Sequence, residues 1–297
     1  MTAILGMAAS LPIGARAQAK SGSASPGSPP DAAVKSLKLP ADGRIPVAFL
    51  LSENAVVIDF AGPWEVFENV HTDAAVAHPF ELYTVAETTA PIKASGGMTI
   101  IPKYTLVSAP PPKILVIPAQ AEPSDAVLAW VRKVTEATDV TMSVCTGAFL
   151  LAKTGLLSGK SVATHHGAYA ELAMAYPNVY VKRGARFVES GNLASSGGLS
   201  SGIDLALHVV ERYFGRPVAM KTADDLEYQG LGWQNADSNQ VYAIRRVSTS
   251  QHFLCAVCDM DVDAAMSPKS EYHKHVYYFC MDSHKKLFDA APQRFVT

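Results

Sequence analysis

At 297 residues the chain is long enough for two domains of ordinary size, which excludes a single tiny module. With 25 Lys and Arg against 27 Asp and Glu, a net charge of −2 and only 18% charged residues, neither a basic nucleic-acid arm nor an acidic solvating tail dominates. Metal-capable side chains are unevenly spread. Three of the four Cys (Cys255, Cys258, Cys280) and four of the nine His (His252, His273, His275, His284) fall in the last 46 residues, and Cys145 stands alone in mid-chain.

Residues 3–14 are mostly small and apolar and run into Ala15-Arg16-Ala17-Gln18-Ala19, which offers A-x-A cleavage after Ala17 or Ala19. Residues 1–19 therefore read as a signal peptide, and the protein as periplasmic or secreted. No Lys or Arg precedes the apolar stretch, so an apolar tail on a cytoplasmic protein is the alternative reading. No run reaches the roughly 18 apolar residues of a spanning helix, and no membrane insertion is expected. Residues 20–42, rich in Ser, Pro and Gly, cannot bury enough surface to order themselves and read as a disordered linker.

From residue 43 to 230, short apolar runs alternate with helical patterns. Ile45–Leu51, Glu81–Ala86, Lys113–Ile117, Val140–Val144 and Ser161–Thr164 predict strands; Gly62–Val70, Ser124–Thr135, Thr146–Thr154, Ala168–Tyr176 and Ser200–Phe214 predict helices. This alternation specifies an α/β domain with a mostly parallel sheet covered on both faces, whose chemistry collects at the carboxyl ends of the strands.

One strand end is distinctive. Val140–Val144 runs directly into Cys145, and Thr146-Gly147 opens a helix. A thiol at such an elbow meets the positive end of a helix dipole, which favours thiolate and nucleophilic reactivity, and small Gly147 lets a substrate approach the backbone. A buried structural cysteine is the alternative. The predicted strand ending in His165-His166 brings a base to the same edge. Asp59 and Glu65, in Ile58-Asp59-Phe60-Ala61-Gly62-Pro63-Trp64-Glu65, bring two carboxylates there, with Pro63 suited to the first helical position. Taken singly, Asp59 reads equally as a helix cap and Glu65 as a first-turn dipole partner.

At these residues the chain resembles the DJ-1/PfpI superfamily, nearest its isonitrile hydratase-like branch, which also supplies the amidase-like domain of some AraC-type regulators. The resemblance rests on IDFAGPWEVF (58–67), SVCTGAFLLAKTGLLSGKSVATHH (143–166) and ESGNLASSGGLSSGIDLALHVVERYFG (189–215). It implies a flavodoxin-like three-layer sandwich, usually a homodimer, acting on a small-molecule substrate. By motif match it implies Cys145 as nucleophile, with Asp59, Thr146 and His165 as catalytic partners. Gly62, Glu65, Gly147 and His166 are expected to line the substrate site, and Gly197, Gly198 and Gly202 to serve backbone packing. The implied reaction, hydration of an isonitrile to an N-substituted formamide, requires no cofactor.

A weakly patterned stretch, residues 231–250, reads as a linker to a tail at 251–297. There Cys255-x2-Cys258 and Cys280-x3-His284 supply four ligands, the number that a tetrahedral Zn site needs, and thiolates equally suit Cu(I). Val276–Phe279 reads as a strand, and a helix over Ser283–Phe288 would present Cys280 and His284 one turn apart. A module this short gains from a metal the stability its core lacks. The segment resembles the YHS domain, related to the TRASH metal-binding modules, with Cys258-Asp259-Met260 at the family's C-G-M and His284 at its second F-C-x-x-x-C cysteine. This implies a small α+β metal-binding module, in which Cys255 precedes the anchoring cysteine. Disulfide pairing of Cys255 with Cys258 or Cys280 is the competing reading in an exported protein. The tail carries no helix-turn-helix pattern, so no nucleic-acid partner is expected. Functionally, a cysteine-dependent enzyme stands against a metal-sensing or metal-handling protein and a regulator-related ligand-binding domain.

Overall fold

In the computed structural model, the described residues are 36–72, 76–244 and 248–296. The expected signal peptide and most of the expected first linker lie outside them. The main domain begins with β1 (Ile45–Leu50), α1 (Val57–Glu68), β2 (Phe80–Ala86), a hairpin of β3 (Ile92–Lys93) and β4 (Thr99–Ile100), and β5 (Tyr104–Thr105). It continues with β6 (Ile114–Ile117), α2 (Asp125–Thr135), β7 (Val140–Val144), α3 (Gly147–Lys153), β8 (Ser161–Val162), α4 (Tyr169–Ala175) and β9 (Tyr180–Val181). The hairpin β10 (Phe187–Ser190) and β11 (Leu193–Ser196) precedes α5 (Ser201–Phe214) and α6 (Arg216–Asp225). The tail adds β12 (Lys269–Tyr272), β13 (His275–Tyr278) and α7 (Asp282–Ala290).

Seven strands form one sheet in the order β10-β11-β7-β6-β1-β2-β5, parallel throughout except for β10. Alternation along the central strands divides two cores. Ile45, Val47, Phe49, Ile114, Val116, Val140, Met142 and Val144 face α1, α5 and α6. Ala48, Leu50, Leu115 and Ile117 face α2, α3 and α4. A strand buried on both faces tends to be apolar throughout, as β6 is, whereas β7 buries Thr141 and Ser143 between its apolar residues. The arrangement is a flavodoxin-like three-layer sandwich with a small α+β module at its carboxyl end.

Three expectations change. Ser161–Thr164 does not extend the main sheet: Ser161 and Val162 pair with β9 in a separate two-stranded ladder. The place beside β7 is taken by β11, whose Leu-Ala-Ser-Ser sequence is fully buried although half polar. Helix α1 starts at Val57, five residues earlier than predicted, so Pro63 sits inside it and Glu65 is no first-turn residue. The missing N–H of Pro63 leaves the Asp59 main-chain carbonyl without its i+4 partner. Finally, residues 231–244 are not a loose linker. The Trp233 ring is 2% exposed in the α1/α5/α6 core beneath the Arg216 guanidinium, the Arg186 N–H donates to Ala236 O, and the Asn239 carboxamide accepts from Arg186. One large apolar side chain anchors a segment whose composition is otherwise that of a loop.

Candidate functional site

The sheet order reverses between β1 and β6, and in such sheets the crevice outside the carboxyl ends of the strands at that point receives ligands. The chain fills this place with Asp59 from the start of α1, Ala119 from the end of β6, and Cys145 from the end of β7. The Ala119 carbonyl accepts from Val56 N at 2.8 Å, while the Ala119 N–H donates to Asp59 Oδ2 at 3.1 Å. Helix α1 has no side-chain cap of its own; Ser95 Oγ, from the β3–β4 loop, accepts from Val57 N at 3.0 Å.

Cys145 has φ +58°, a left-handed conformation unusual for a side chain with a Cβ, and is 7% exposed. Its N–H donates to Gly197 O at 3.1 Å, and its carbonyl accepts from Thr164 Oγ1 at 2.9 Å. The Thr146 N–H and hydroxyl and the Leu199 N–H direct hydrogen bonds at the sulfur. These donors favour thiolate, but burial outweighs them, and with the nearby Asp59 charge it raises the thiol to about 11. Burial thus works against the thiolate that the helix dipole favours. Burial likewise lifts the fully buried Asp59 carboxyl to about 7, against the lowering effect of the Ala119 N–H and the Cys145 thiol. Asp59 Oδ1 is buried with no hydrogen-bond partner in good geometry. The pair sets a buried thiol beside a carboxyl that exchanges protons near neutrality, groups able to serve as nucleophile and base.

The remaining predicted residues separate. Glu65 is exposed on α1 whereas Asp59 is fully buried, so the two carboxylates stand in different surroundings. A Cβ on Gly62 would lie 2.8 Å from Ile203 Cγ1, and one on Gly147 would lie 2.3 Å from the Ile117 carbonyl oxygen. Both glycines are thus required by close packing, of α1 on α5 and of α3 on the end of β6. His165 does not hydrogen bond to Cys145 among the described residues; its Nδ1 accepts from Gly167 N at 3.1 Å. A Cβ on Gly198 would fall 2.3 Å from its Cδ2, so the ring packs against the turn that carries Leu199. Burial, then neighbouring His166, keeps His165 below the ordinary histidine pKa. The His166 ring lies 4.3 Å from that of His165. It stacks on Tyr242 at 4.5 Å and lines a cleft of about 350 Å³ with Arg183, Cys258, Asp259 and Met260. Sequence reasoning missed Ala119, Thr164 and Leu199, which act through main chain or a single hydroxyl. For Leu199 the neighbouring Gly197-Gly198 turn was the available signal.

In the tail, Cys255, Cys258, Cys280 and His284 converge, with all four ligand atoms within 4.8 Å of one another. Cys255 and Cys258 sit on a tight knuckle in which Asp259 N bonds to Cys255 O at 2.9 Å and Asp259 adopts φ +64°. Cys280 follows β13 and precedes α7, rather than lying on the helix, and His284 stands in the first turn of α7. The Cys258 and Cys280 sulfurs are 3.7 Å apart, and His284 Nδ1 lies 3.2 Å from Cys280 Sγ and 3.5 Å from Cys255 Sγ. Tetrahedral Zn with bonds of about 2.3 Å to sulfur and about 2.05 Å to nitrogen has S···S edges of about 3.8 Å and S···N edges of about 3.6 Å. The four residues therefore fit a tetrahedral ion, and Cys255 belongs to the set. All four cysteines of the chain are free thiols. Hydrogen bonds from Cys258 and His284 push the Cys255 thiol well down, while Cys255, then Glu171, raise His284 to about 10. The module's buried apolar core is small, built around Val257, Phe279, Phe288 and Phe295.

Fold and elbow together define an α/β protein with a buried cysteine at a strand-to-helix turn facing a carboxyl group. The DJ-1/PfpI family model matches residues 46–212, more than half of the chain, and the protein belongs to the DJ-1/PfpI family. The chain is 29% identical over 187 residues to the isonitrile hydratase of Pseudomonas putida, covering 61% of this chain and 78% of that protein. It is 26% identical over 184 residues to the HTH-type transcriptional regulator CdhR of Pseudomonas aeruginosa, spanning 53% of that protein's length. Among solved structures, a THiJ/PfpI family protein from Pseudomonas syringae matches with a TM-score of 0.56 at 23% identity, covering 63% of this chain and 76% of that one. Drosophila melanogaster DJ-1beta matches with a TM-score of 0.53 at 20% identity, covering 62% and 98%. These structural likenesses speak to the fold.

Proposed function

We propose that the protein is a cysteine-dependent hydratase that converts an isonitrile and water to an N-substituted formamide. The observation that carries this reading is the Asp59–Cys145 pair at the sheet's switch point, in a domain similar to the Pseudomonas putida isonitrile hydratase. The thiol sulfur of Cys145 adds to the terminal isonitrile carbon while its proton passes to Asp59 and from there to that same carbon, leaving a thioimidate. Water then adds to the carbon and places a proton on nitrogen. Collapse of the tetrahedral adduct breaks the C–S bond, returns the proton to sulfur and releases the formamide. Thr146 and the Leu199 N–H steady the charge on sulfur as the bond forms and breaks. No step requires a cofactor, and a DJ-1-type homodimer is part of the same reading.

The Cys255–Cys258–Cys280–His284 set is read as holding Zn, or Cu(I) by virtue of its thiolates, as a structural cross-link of the tail. Such an ion would supply folding free energy to residues 251–296 and takes no part in hydration. Incubation of the purified, reduced protein with alkyl isonitriles, with formamide measured by mass spectrometry, tests the main reading. Product from wild type and none from Cys145→Ala is expected. Absence of product from intact wild type overturns the hydratase, and product from Cys145→Ala overturns the nucleophile. The similarity to CdhR favours a ligand-binding reading in the first case, tested by saturable isonitrile binding without turnover.

A further inference from the structure

We propose that the tail's metal centre is shared between the two modules, with Glu171 on α4 of the DJ-1/PfpI domain as the outer carboxylate that orients the ligand His284. The inference rests on the metal reading of the Cys/His cluster and is independent of the isonitrile reading. His284 is 2% exposed and its two ring nitrogens face different modules. Nδ1 faces the Cys280 and Cys255 sulfurs, whereas Nε2 lies 3.2 Å from Glu171 Oε2. An imidazole that gives one nitrogen to a metal needs the other protonated, and a carboxylate on that second N–H fixes both tautomer and ring orientation. Within its own module His284 has no carboxylate on Nε2 among the described residues; the main domain supplies it.

The rest of the junction is built around the same contact. Ala170 and Met174, on α4 beside Glu171, pack against the tail's apolar core. Arg183 pairs with Asp259 of the cysteine knuckle at 3.5 Å, and the Met260 sulfur lies 3.5 Å from where a Cβ on Gly167 would be. The tail therefore rests on the segment from Gly167 to Ala175, which begins three residues after the Thr164 hydroxyl that holds the Cys145 carbonyl. A bound ion that fixes His284 also fixes Glu171, and through it the docking of one module on the other.

The test uses the full chain and Zn alone, with affinity measured by competition against a chromophoric chelator and coordination by the visible spectrum of the Co(II) form. Glu171→Ala is expected to weaken Zn binding about tenfold to a hundredfold and to shift the Co(II) bands, with Glu171→Asp recovering part of both. Glu171→Gln, of the same shape, serves if the alanine variant folds poorly. Met174→Ala, which loosens packing alone, should leave the Co(II) bands in place. Wild-type affinity and an unshifted spectrum in a folded Glu171→Ala or Glu171→Gln protein overturn the proposal. Full-strength binding by Cys280→Ser, or no binding by wild type, overturns the metal reading beneath it, so the two failures are told apart.

Discussion

The Thr164 hydroxyl donates to the Cys145 main-chain carbonyl at 2.9 Å, and both residues are buried. This bond joins the segment that leads to α4 with the elbow that carries Cys145. In Thr164→Val the carbonyl loses its partner in an apolar setting, which costs about 1–3 kcal/mol. Urea unfolding should show a lower midpoint with unchanged slope, and formamide formation should fall with it because the elbow is less firmly held.

The Asp59 carboxyl is raised from 3.8 to about 7. Its contribution to stability is therefore complete below about pH 4 and is lost as pH rises through about 7, since the folded state holds the proton more tightly than the unfolded one. Across that interval wild type should lose up to about 4 kcal/mol relative to Asp59→Asn, which has nothing to ionise there. Denaturation midpoints of the two proteins at pH 4 and pH 8 check the sign: equal shifts in both would exclude a raised carboxyl.

Activity should run the opposite way. Asp59 accepts the thiol proton only when ionised, so kcat/KM for an isonitrile rises through about pH 7. The rise should vanish in Asp59→Asn, with a loss of about 10²–10⁴-fold at pH 8. A pH profile that keeps its shape in the variant would assign the ionisation to another group.

At φ +58°, Cys145 holds a conformation that costs a residue with a Cβ about 1–2 kcal/mol and a glycine very little. Cys145→Gly should therefore melt above Cys145→Ala, and both should be inactive. Thermal unfolding of the two variants side by side reads this directly, and a lower melting point for the glycine variant would argue against strain at the elbow.

Removing the metal should loosen the tail first. At free Zn one hundred times its dissociation constant, binding contributes about 2.7 kcal/mol. A chelator should then speed amide exchange across residues 251–296 while β1, β6 and β7 stay protected. Equal exchange with and without chelator would mean that the cluster holds no ion.

The parts of this fold that the sequence reveals are those with one dominant physical signal. β1 and β6 are nearly continuous apolar runs because both of their faces are covered, β7 carries an apolar residue at every second position, and the Cys145-Thr146-Gly147 elbow follows from a strand running straight into a helix. β11 escaped because its Ser195 and Ser196 are buried by close packing rather than by hydrophobicity, and α1 was entered late because Pro63 resembles a helix start. Cys280 and His284 were legible from spacing. Glu171 was not: it lies 113 positions from His284, and nothing local distinguishes a carboxylate that faces solvent from one that faces another module. Trp233 likewise anchors a stretch whose neighbours all read as loop.

The elbow is held on both sides by chain that comes after it. Cys145 donates its N–H to Gly197, beyond β11, and receives Thr164 from beyond α3. During synthesis, at roughly 5–20 residues per second, Cys145 emerges seconds before either clamp exists. Strand β7 must wait for β11 to cover its open edge, so the thiol is an ordinary cysteine in the nascent chain. The left-handed turn at Cys145 gains its two main-chain partners only once the downstream half of the domain has closed over it.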